Sequence, residues 1–382
     1  MSFGIILLAS TEVRKSLIPK AAWVLRLGGL AQPAPGASEP PSMKKKRDPS
    51  WAGSLKSYPK RKGKPLSPTE RMVDSTVSEW YSEKHRRPTA EEAAMVNSAR
   101  VPGCPFCGSW NFARDGRRRD GVQKYLCRSC GRRFNPLTGT VFDSHKIPIS
   151  EWVEYLLHLF EFHSVVTSAR DNRNAHTTGV FWLRKVFAVL EGCQGSVVLS
   201  GDVWLDETYV SVDKKDRVTK GGKSLRGISR NKIAIGAATD GKSLVVVPEW
   251  SSKPSKKKTL GAFGKRIAKG SRLIHDGDNS HSLLIAELGL ESEVHPTSET
   301  KGLPDSENPM DAVNDVHALL KRFLREHGGF ARRDLQGWCD LFWFIWSDPA
   351  NRMEKVAKFI GMAISTRKRI RFRDVFAKKS DK

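Results

Sequence analysis

Two different spacings of apolar residues divide the chain into a helical part and a later β-rich part. Between Ile147 and Leu190, apolar side chains recur every three or four residues, which is the spacing of amphipathic helices. One predicted helix has an apolar face formed by Trp152, Leu156, Leu159 and Phe160. A second has a face formed by Phe181, Val186 and Phe187. The polar stretch SARDNRNAHT joins them, so residues 144–195 predict a helix-turn-helix-like unit, although a plain helical spacer fits the pattern nearly as well.

After Gly201 the pattern changes to short β-rich runs. VWLDETYVSV, KIAIGAATD and SLVVVPEW predict three strands, and the segments that follow predict helix, strand, helix, strand and helix in turn. This is the order of elements in ribonuclease-H-like domains, where helices flank a mixed sheet. We therefore predict an α/β fold over residues 200–346.

The predicted folded regions are flanked by segments of different composition. Residues 1–65 combine the Pro-rich LAQPAPGASEPPS with lysine runs and predict a disordered basic tail, of which 1–42 is not native if translation starts at Met43. Residues 66–100 predict short helices. Residues 347–382 predict a basic C-terminal tail.

Four of the six cysteines form two CxxC pairs that are separated by 19 residues, namely Cys104, Cys107, Cys127 and Cys130. The spacing is close to that of ribbons in which two turns aim four thiolates at one tetrahedral zinc ion. A redox role is the alternative, and two pairs in register argue against it. We predict a structural zinc ribbon over 101–143. The two remaining, solitary cysteines favour a reducing, intracellular compartment such as the cytoplasm.

The chain is strongly basic, with 65 Lys and Arg against 41 Asp and Glu and a net charge of +24. Such an excess predicts a polyanionic partner, nucleic acid or an anionic membrane surface, and a solvated basic face is the alternative. No apolar run reaches the roughly 18 residues of a spanning helix. Eight basic residues within or beside the predicted ribbon favour contact with the phosphates of double-stranded DNA. They are Arg114, Arg117, Arg118, Arg119, Lys124, Arg128, Arg132 and Arg133.

Three positions in the α/β part predict a site for divalent metal. Asp206 lies within the predicted strand VWLDETYV, and Asp276 ends the strand SRLIHD. Asn314 lies in a long predicted helix, seven residues before Lys321. Carboxylates at the ends of adjacent strands supply the oxygen ligands of Mg²⁺ or Mn²⁺, and a pair of such ions could cleave a phosphodiester. Taken singly, each of these residues is also typical of a strand edge, a turn or a helix surface.

Together these motifs resemble bacterial insertion-sequence transposases that join an N-terminal zinc ribbon to a DDE-type, ribonuclease-H-like core. The resemblance is carried by CPFCGS…YLCRSCGRRFNPLTGT, LDETYV, LIHDGDNSH and NPMDAVNDVHALLKRFLREHGGF, and it runs from about Cys104 to Ile345. It implies catalytic and metal-binding roles for Asp206, Asp276 and Asn314, with the family's trailing lysine at Lys321. The commonest third residue is Glu, so this sequence is similar to the subgroup with Asn, an uncharged ligand that holds a cation less strongly.

The resemblance implies a DNA transposase that binds element ends, cuts them with Mg²⁺ or Mn²⁺ and joins the freed 3′-hydroxyls to target DNA. Holding two ends together implies a homo-oligomer on the DNA. Zinc would be structural only. Two other functions stay open: a non-catalytic zinc-ribbon DNA-binding protein with a decayed core, and a metal-dependent nuclease that cuts without joining.

Overall fold

The computed structural model describes residue 65, residues 71–72 and residues 90–376 apart from 146, 251 and 329. The predicted tail 1–65 lies outside the described residues except for its last position. Two compact units are present: the first comprises Leu190–Ala350, and the second comprises the described residues before it and those from Asn351 onward. Among the helices of the described residues, none is both long and apolar enough to cross a membrane.

The second unit has a short helix, then a small antiparallel sheet, and then further helices. Its elements before the first unit are α1 (Ala90–Ser98), β1 (Phe112–Arg117), β2 (Gln123–Cys127), β3 (Arg133–Phe134), α2 (Glu151–Phe160), α3 (Val165–Asp171) and α4 (His176–Leu190). The small sheet is filled by the rings of Phe112, Tyr125 and Phe134, whose centroids lie 5.3 to 5.4 Å apart. In the helical part, the ring of Trp152 stacks on that of Trp182 at 4.4 Å.

The first unit is a five-stranded mixed sheet with flanking helices, which confirms the predicted α/β class. Its elements are β4 (Asp202–Ser211), β5 (Thr219–Lys220), β6 (Lys223–Ser224), β7 (Lys232–Thr239), β8 (Leu244–Pro248), α5 (Lys256–Phe263), β9 (Arg272–His275), α6 (Ser282–Leu288), β10 (Glu291–Val294), α7 (Thr297–Thr300), α8 (Asp311–Glu326) and α9 (Leu335–Trp346). The strand order is β10-β9-β4-β7-β8. Strands β9 and β10 run parallel to β4, while β7 is antiparallel to β4 and β8 is antiparallel to β7.

Alternation along β4 gives this sheet two different faces. Val203 and Leu205 belong to a buried cluster with Phe263, Leu273 and Leu284, so this face is covered by α5 and α6. On the opposite face α8 packs against β4 and β7, and α9 packs against β8. Side chains at odd positions of β4 therefore meet α5 and α6, and those at even positions meet α8.

The C-terminal segment differs from the basic tail predicted for residues 347–382. It contains α10 (Arg352–Ser365) and α11 (Phe372–Phe376). Asn351 caps α10 by accepting hydrogen bonds from the main-chain N–H groups of Met353 at 2.9 Å and Glu354 at 3.2 Å. The buried apolar residues of α10 are Val356, Phe359, Ile360, Ala363 and Ile364. Lysines and arginines separate these apolar residues in the sequence. Because the segment is so basic, its composition alone predicted a tail.

The sheet tolerates no side chain at Gly236 in β7, because a Cβ atom there would lie 2.7 Å from the ring of Phe263. We expect Gly236→Ala to lower the free energy of unfolding of the first unit by about 1–3 kcal/mol, the usual cost of overpacking. Chemical denaturation followed by tryptophan fluorescence would measure this.

Gly261 in α5 is the matched control, because a Cβ atom there meets nothing within 4 Å. We expect Gly261→Ala to stabilise the unit by about 0.5–1 kcal/mol, since alanine favours the helix over glycine. Equal stability of the two alanine variants would contradict the packing described for β7.

Candidate metal centre and active site

The parallel strands β4 and β9 bring two of the predicted site residues to neighbouring positions. The strands pair in register as far as Leu205 with His275. Asp206 is the next residue of β4 and Asp276 is the first residue after β9, so both lie at the same end of the paired segment. Since successive side chains of β4 point to opposite faces, Asp206 is directed toward α8. The carboxylate of Asp276 lies close to nitrogens of His275 and His281.

Asp206 carries a poorly compensated charge. Its side chain is 26% exposed. Burial raises the pKa of Asp206 to about 7, and the charges of Glu207 and Asp276 raise it further. The hydrogen bond from the main-chain N–H of Glu207 and the charge of His281 act in the opposite direction. A bound divalent cation would supply the missing positive charge, and the carboxylate oxygens present here are the donors that Mg²⁺ and Mn²⁺ prefer.

Helix α8 presents Asn314, His317 and Lys321 on one face, at spacings of three and four residues. The two predicted residues, Asn314 and Lys321, are both exposed. His317, which sequence reasoning missed, has a side chain only 6% exposed, and its Nδ1 lies 3.5 Å from Oδ2 of Asp206. Burial and the charge of Lys321 lower the pKa of His317 to about 4, so the ring is neutral. A contact with the main chain of Asp206 acts in the opposite direction. A buried, neutral histidine therefore lies beside Asp206.

A second polar cluster lies on the opposite face of the same strands. His275 Nδ1 accepts a hydrogen bond from the N–H of Gly277 at 3.2 Å, so its proton is on Nε2, which lies 2.9 Å from the hydroxyl of Ser292. Nδ1 of His281 lies 2.9 Å from Nδ1 of His275. Because the His275 nitrogen carries no proton, the His281 nitrogen must be the donor. His281 also donates from Nε2 to Oε1 of Glu207 at 3.1 Å. The hydrogen-bond geometry thus assigns protons to both nitrogens of His281, which makes it an imidazolium ion.

The pKa shifts agree with this assignment. Burial alone would lower the pKa of His281, but the hydrogen bond to Glu207 and the charges of nearby carboxylates raise it. Burial lowers the pKa of His275 to about 4, and the charge of His281 acts in the same direction. The side chains of Glu207 and His281 are only 4% and 0% exposed. A buried ion pair therefore supports the turn that carries Asp276, whose carboxylate lies within 4.8 Å of nitrogens of both histidines.

A basic hairpin extends from the end of β4 and was also missed by sequence reasoning. It comprises β5, β6 and their flanks, and Asn231 holds its base by accepting from the N–H of Val218 at 2.7 Å and donating to its carbonyl at 2.8 Å. Its exposed basic residues are Lys214, Lys215, Arg217, Lys220, Lys223, Arg226 and Arg230. Since β4 also carries Asp206, the hairpin and this carboxylate lie on the same strand.

In the second unit, the four predicted zinc-binding cysteines lie together. Cys104 Sγ lies 3.7 Å from Cys130 Sγ, and Cys107 Sγ lies 3.6 Å from Cys127 Sγ. All four sulfurs lie within 4.8 Å of one another. A tetrahedral zinc ion with bonds of ~2.3 Å separates its sulfur ligands by about 3.8 Å. The four thiols therefore fit one zinc ion.

Each cysteine pair lies on the same kind of turn. The N–H of Gly108 donates to the carbonyl of Cys104, and the N–H of Gly131 donates to the carbonyl of Cys127, both at 2.9 Å. Both glycines have positive φ, +74° and +68°, a conformation that side chains with a Cβ rarely adopt. Glycine directly after each CxxC pair is thus required by the backbone.

Most of the predicted DNA-binding residues are available at the surface of this ribbon. Seven of the eight are exposed and Lys124 is half-buried. Arg118 forms an ion pair with Asp120 at 2.9 Å, and Arg133 forms one with Asp115 at 2.6 Å. The remaining exposed arginines of the set give the ribbon its positive surface.

Comparison with known proteins gives a limited likeness. No family profile matches the chain. Over 128 residues it is 30% identical to an uncharacterized protein in transposable element ISH50 of Halobacterium salinarum, a match that covers 33% of this chain and 42% of that protein. Among solved structures, the crystal structure of a pre-cleavage Mos1 transpososome matches 57% of this chain and 79% of that chain, at 11% identity and a TM-score of 0.21. A TM-score of that size does not establish a shared fold.

The raised pKa of Asp206 predicts a specific dependence of stability on pH. The folded protein holds the Asp206 proton more tightly than the unfolded chain, so without divalent metal its stability falls as pH rises through about 7. Asp206→Asn removes this loss. We expect the melting temperature of the variant, relative to wild type, to increase between about pH 5 and about pH 8.

Asp202→Asn is the control for this prediction, because Asp202 lies on the same strand but is exposed and paired with Arg272 at 2.7 and 2.9 Å. Its relative melting temperature should not rise with pH. A relative melting temperature of Asp206→Asn that is unchanged across this range would contradict the poorly compensated charge described for Asp206.

Proposed function

We propose that the chain is a metal-dependent DNA transposase with a ribonuclease-H-like core. The observation that supports this most directly is the placement of Asp206 and Asp276 at the same end of the paired parallel strands β4 and β9. The order of strands and helices in the first unit agrees with such a core. The partial identity to a protein in a transposable element agrees with the same function.

In this proposal Asp206 and Asp276 hold divalent metal, and α8 supplies a third ligand, for which the resemblance implies Asn314. When bound, a pair of ions would polarise the scissile phosphodiester and activate the attacking hydroxyl group. The exposed ammonium group of Lys321, two helical turns from Asn314, would bind a backbone phosphate. Joining would use the same residues, with the freed 3′-hydroxyl in place of water.

DNA binding is assigned to two basic surfaces. The exposed arginines of the ribbon would neutralise phosphates at the element ends, and the hairpin after β4 would neutralise phosphates close to the cleaved bond. The helices α2 to α4 are a further candidate for end recognition. Two ends must be held together for joining, so we expect a homo-oligomer on DNA.

Cleavage of duplex DNA that carries the ends of its own element tests the proposal. We expect wild-type protein to cut in Mg²⁺ or Mn²⁺, and Asp206→Asn and Asp276→Asn to reduce the rate about a hundredfold or more, because a lost ligand removes several kcal/mol of transition-state stabilisation. Gel analysis of the cut strands would measure this, and Asp202→Asn should keep the wild-type rate.

Two outcomes of this assay would favour the other functions. If wild-type protein is inert while Asn314→Glu cuts, the natural chain is a non-catalytic DNA-binding protein. If wild-type protein cuts but does not join a pre-cut end to target DNA, the chain is a nuclease. A rate that is unaffected in Asp206→Asn would contradict the proposed site itself.

The ribbon predicts about one tightly bound zinc ion per chain, measured by elemental analysis of the purified protein. We expect Cys127→Ser to lose this zinc and to bind DNA more weakly, because the turns that present the arginines depend on the ion. Cys193 is not among the four clustered cysteines, so Cys193→Ser should keep the zinc. Zinc retained at the wild-type level in Cys127→Ser would contradict the zinc assignment.

A further inference from the structure

The third residue of the metal site can be inferred from the packing of α8. Among the α8 residues with polar side chains on the face toward β4, Asn314 and Lys321 are exposed, and His317 is buried between them. Residues buried to this extent on an amphipathic helix are usually apolar, as Val313, Val316 and Leu320 are. The imidazole of His317 therefore occupies a position where the helix would otherwise bury an aliphatic side chain.

Apart from a contact with the main chain of Asp206, hydrogen bonding does not account for this imidazole. Nε2 of His317 is buried and has no hydrogen-bond partner among the described residues. Nδ1 faces Oδ2 of Asp206 at 3.5 Å, which is longer than an ordinary N–H···O hydrogen bond. A histidine whose role was only to bind Asp206 directly would be expected closer, at about 2.7–3.2 Å.

The same separation is close to that of two atoms that bind one cation. Ligands at bond lengths of about 2.1–2.2 Å lie about 3.5 Å apart in tetrahedral and about 3.0 Å apart in octahedral coordination, so an octahedral ion would draw the two atoms about 0.5 Å closer. We propose that Nδ1 of His317 is the ligand that α8 contributes to the metal held by Asp206. The exposed amide of Asn314 then lies at the rim of the site, where it can contact DNA. This inference rests on the proposed function, since it takes Asp206 to be a metal ligand.

A nitrogen ligand changes which ion the site favours. Imidazole binds divalent transition-metal ions, among which Mn²⁺ is the weakest binder, whereas Mg²⁺ prefers oxygen ligands alone. The site is therefore inferred to bind Mn²⁺ more tightly than Mg²⁺. The ratio of the two affinities should be larger than at a site with oxygen ligands alone. Mn²⁺ is also the suitable probe, because the four thiolates of the ribbon select softer ions such as zinc.

The decisive measurement is electron spin-echo spectroscopy of Mn²⁺ bound to the zinc-loaded full chain. We expect the bound Mn²⁺ to show the hyperfine coupling of a directly coordinated imidazole nitrogen. This coupling should disappear in His317→Leu and persist in Asn314→Ala. Because the first result needs only wild-type protein, it does not depend on how well any variant folds. Bound Mn²⁺ without nitrogen coupling would overturn the inference.

Titration calorimetry with Mn²⁺ gives the second readout. We expect His317→Leu to weaken Mn²⁺ binding at least about tenfold, as Asp206→Asn does, and Asn314→Ala to change it by less than about threefold. Asp315→Asn, an exposed charge on the same helix, is the matched control and should bind like wild type. Asn314→Ala losing Mn²⁺ while His317→Leu keeps it would overturn the inference and leave the proposed function standing.

A third variant tests the choice of ion. His317→Asp exchanges the nitrogen donor for oxygen, so the ratio of Mn²⁺ to Mg²⁺ affinity should fall compared with wild type. An unchanged ratio would count against His317 as a ligand. Wild-type protein that binds no Mn²⁺ would overturn both this inference and the metal-dependent function.

Discussion

The in-register parallel pairing of β4 with β9 is the constraint on which both polar clusters of the first unit depend. Because Leu205 pairs with His275, the next residues, Asp206 and Asp276, come to the same end of the two strands. A slip of one residue along β4 would turn Asp206 to the apolar face, since side chains alternate strictly along a strand. The buried Val203 and Leu205 fix the register, so the position of the site follows from the apolar core on the other side of the sheet.

The same pairing explains why a charged cluster is buried behind the site. Glu207 lies on the α5 and α6 face, where its carboxylate is compensated by the imidazolium of His281. His281 in turn bonds to His275, the residue directly before Asp276. Removing one partner of a buried ion pair usually costs about 3–5 kcal/mol, so the turn that carries Asp276 is held in one conformation. Rigid support of this kind is what a metal site needs from the residues behind its ligands.

Sequence patterns predicted the elements of this protein well and their tertiary contacts poorly. The two apolar periods predicted the helical and the α/β parts, and cysteine spacing predicted the cluster of four thiols. His317 was missed because its contact with Asp206 joins residues distant in the chain, and no local pattern encodes it. The hairpin after β4 and helix α10 were missed for a different reason: their many charged residues concealed ordered structure.

The contrast between Glu207 and Asp206 is the strongest physical argument that the site is functional. The two carboxylates are consecutive on one strand, and the side chains of Glu207 and Asp206 are only 4% and 26% exposed. For Glu207 the chain provides a cation, His281, at 3.1 Å. For Asp206 it provides a neutral histidine at 3.5 Å and a second carboxylate, Asp276, so the pKa rises to about 7. Selection for stability alone would favour a cationic partner for Asp206, such as Glu207 has in His281, or the replacement of Asp206. A carboxylate that is left without a cation beside it agrees with a positive charge that comes from outside the chain.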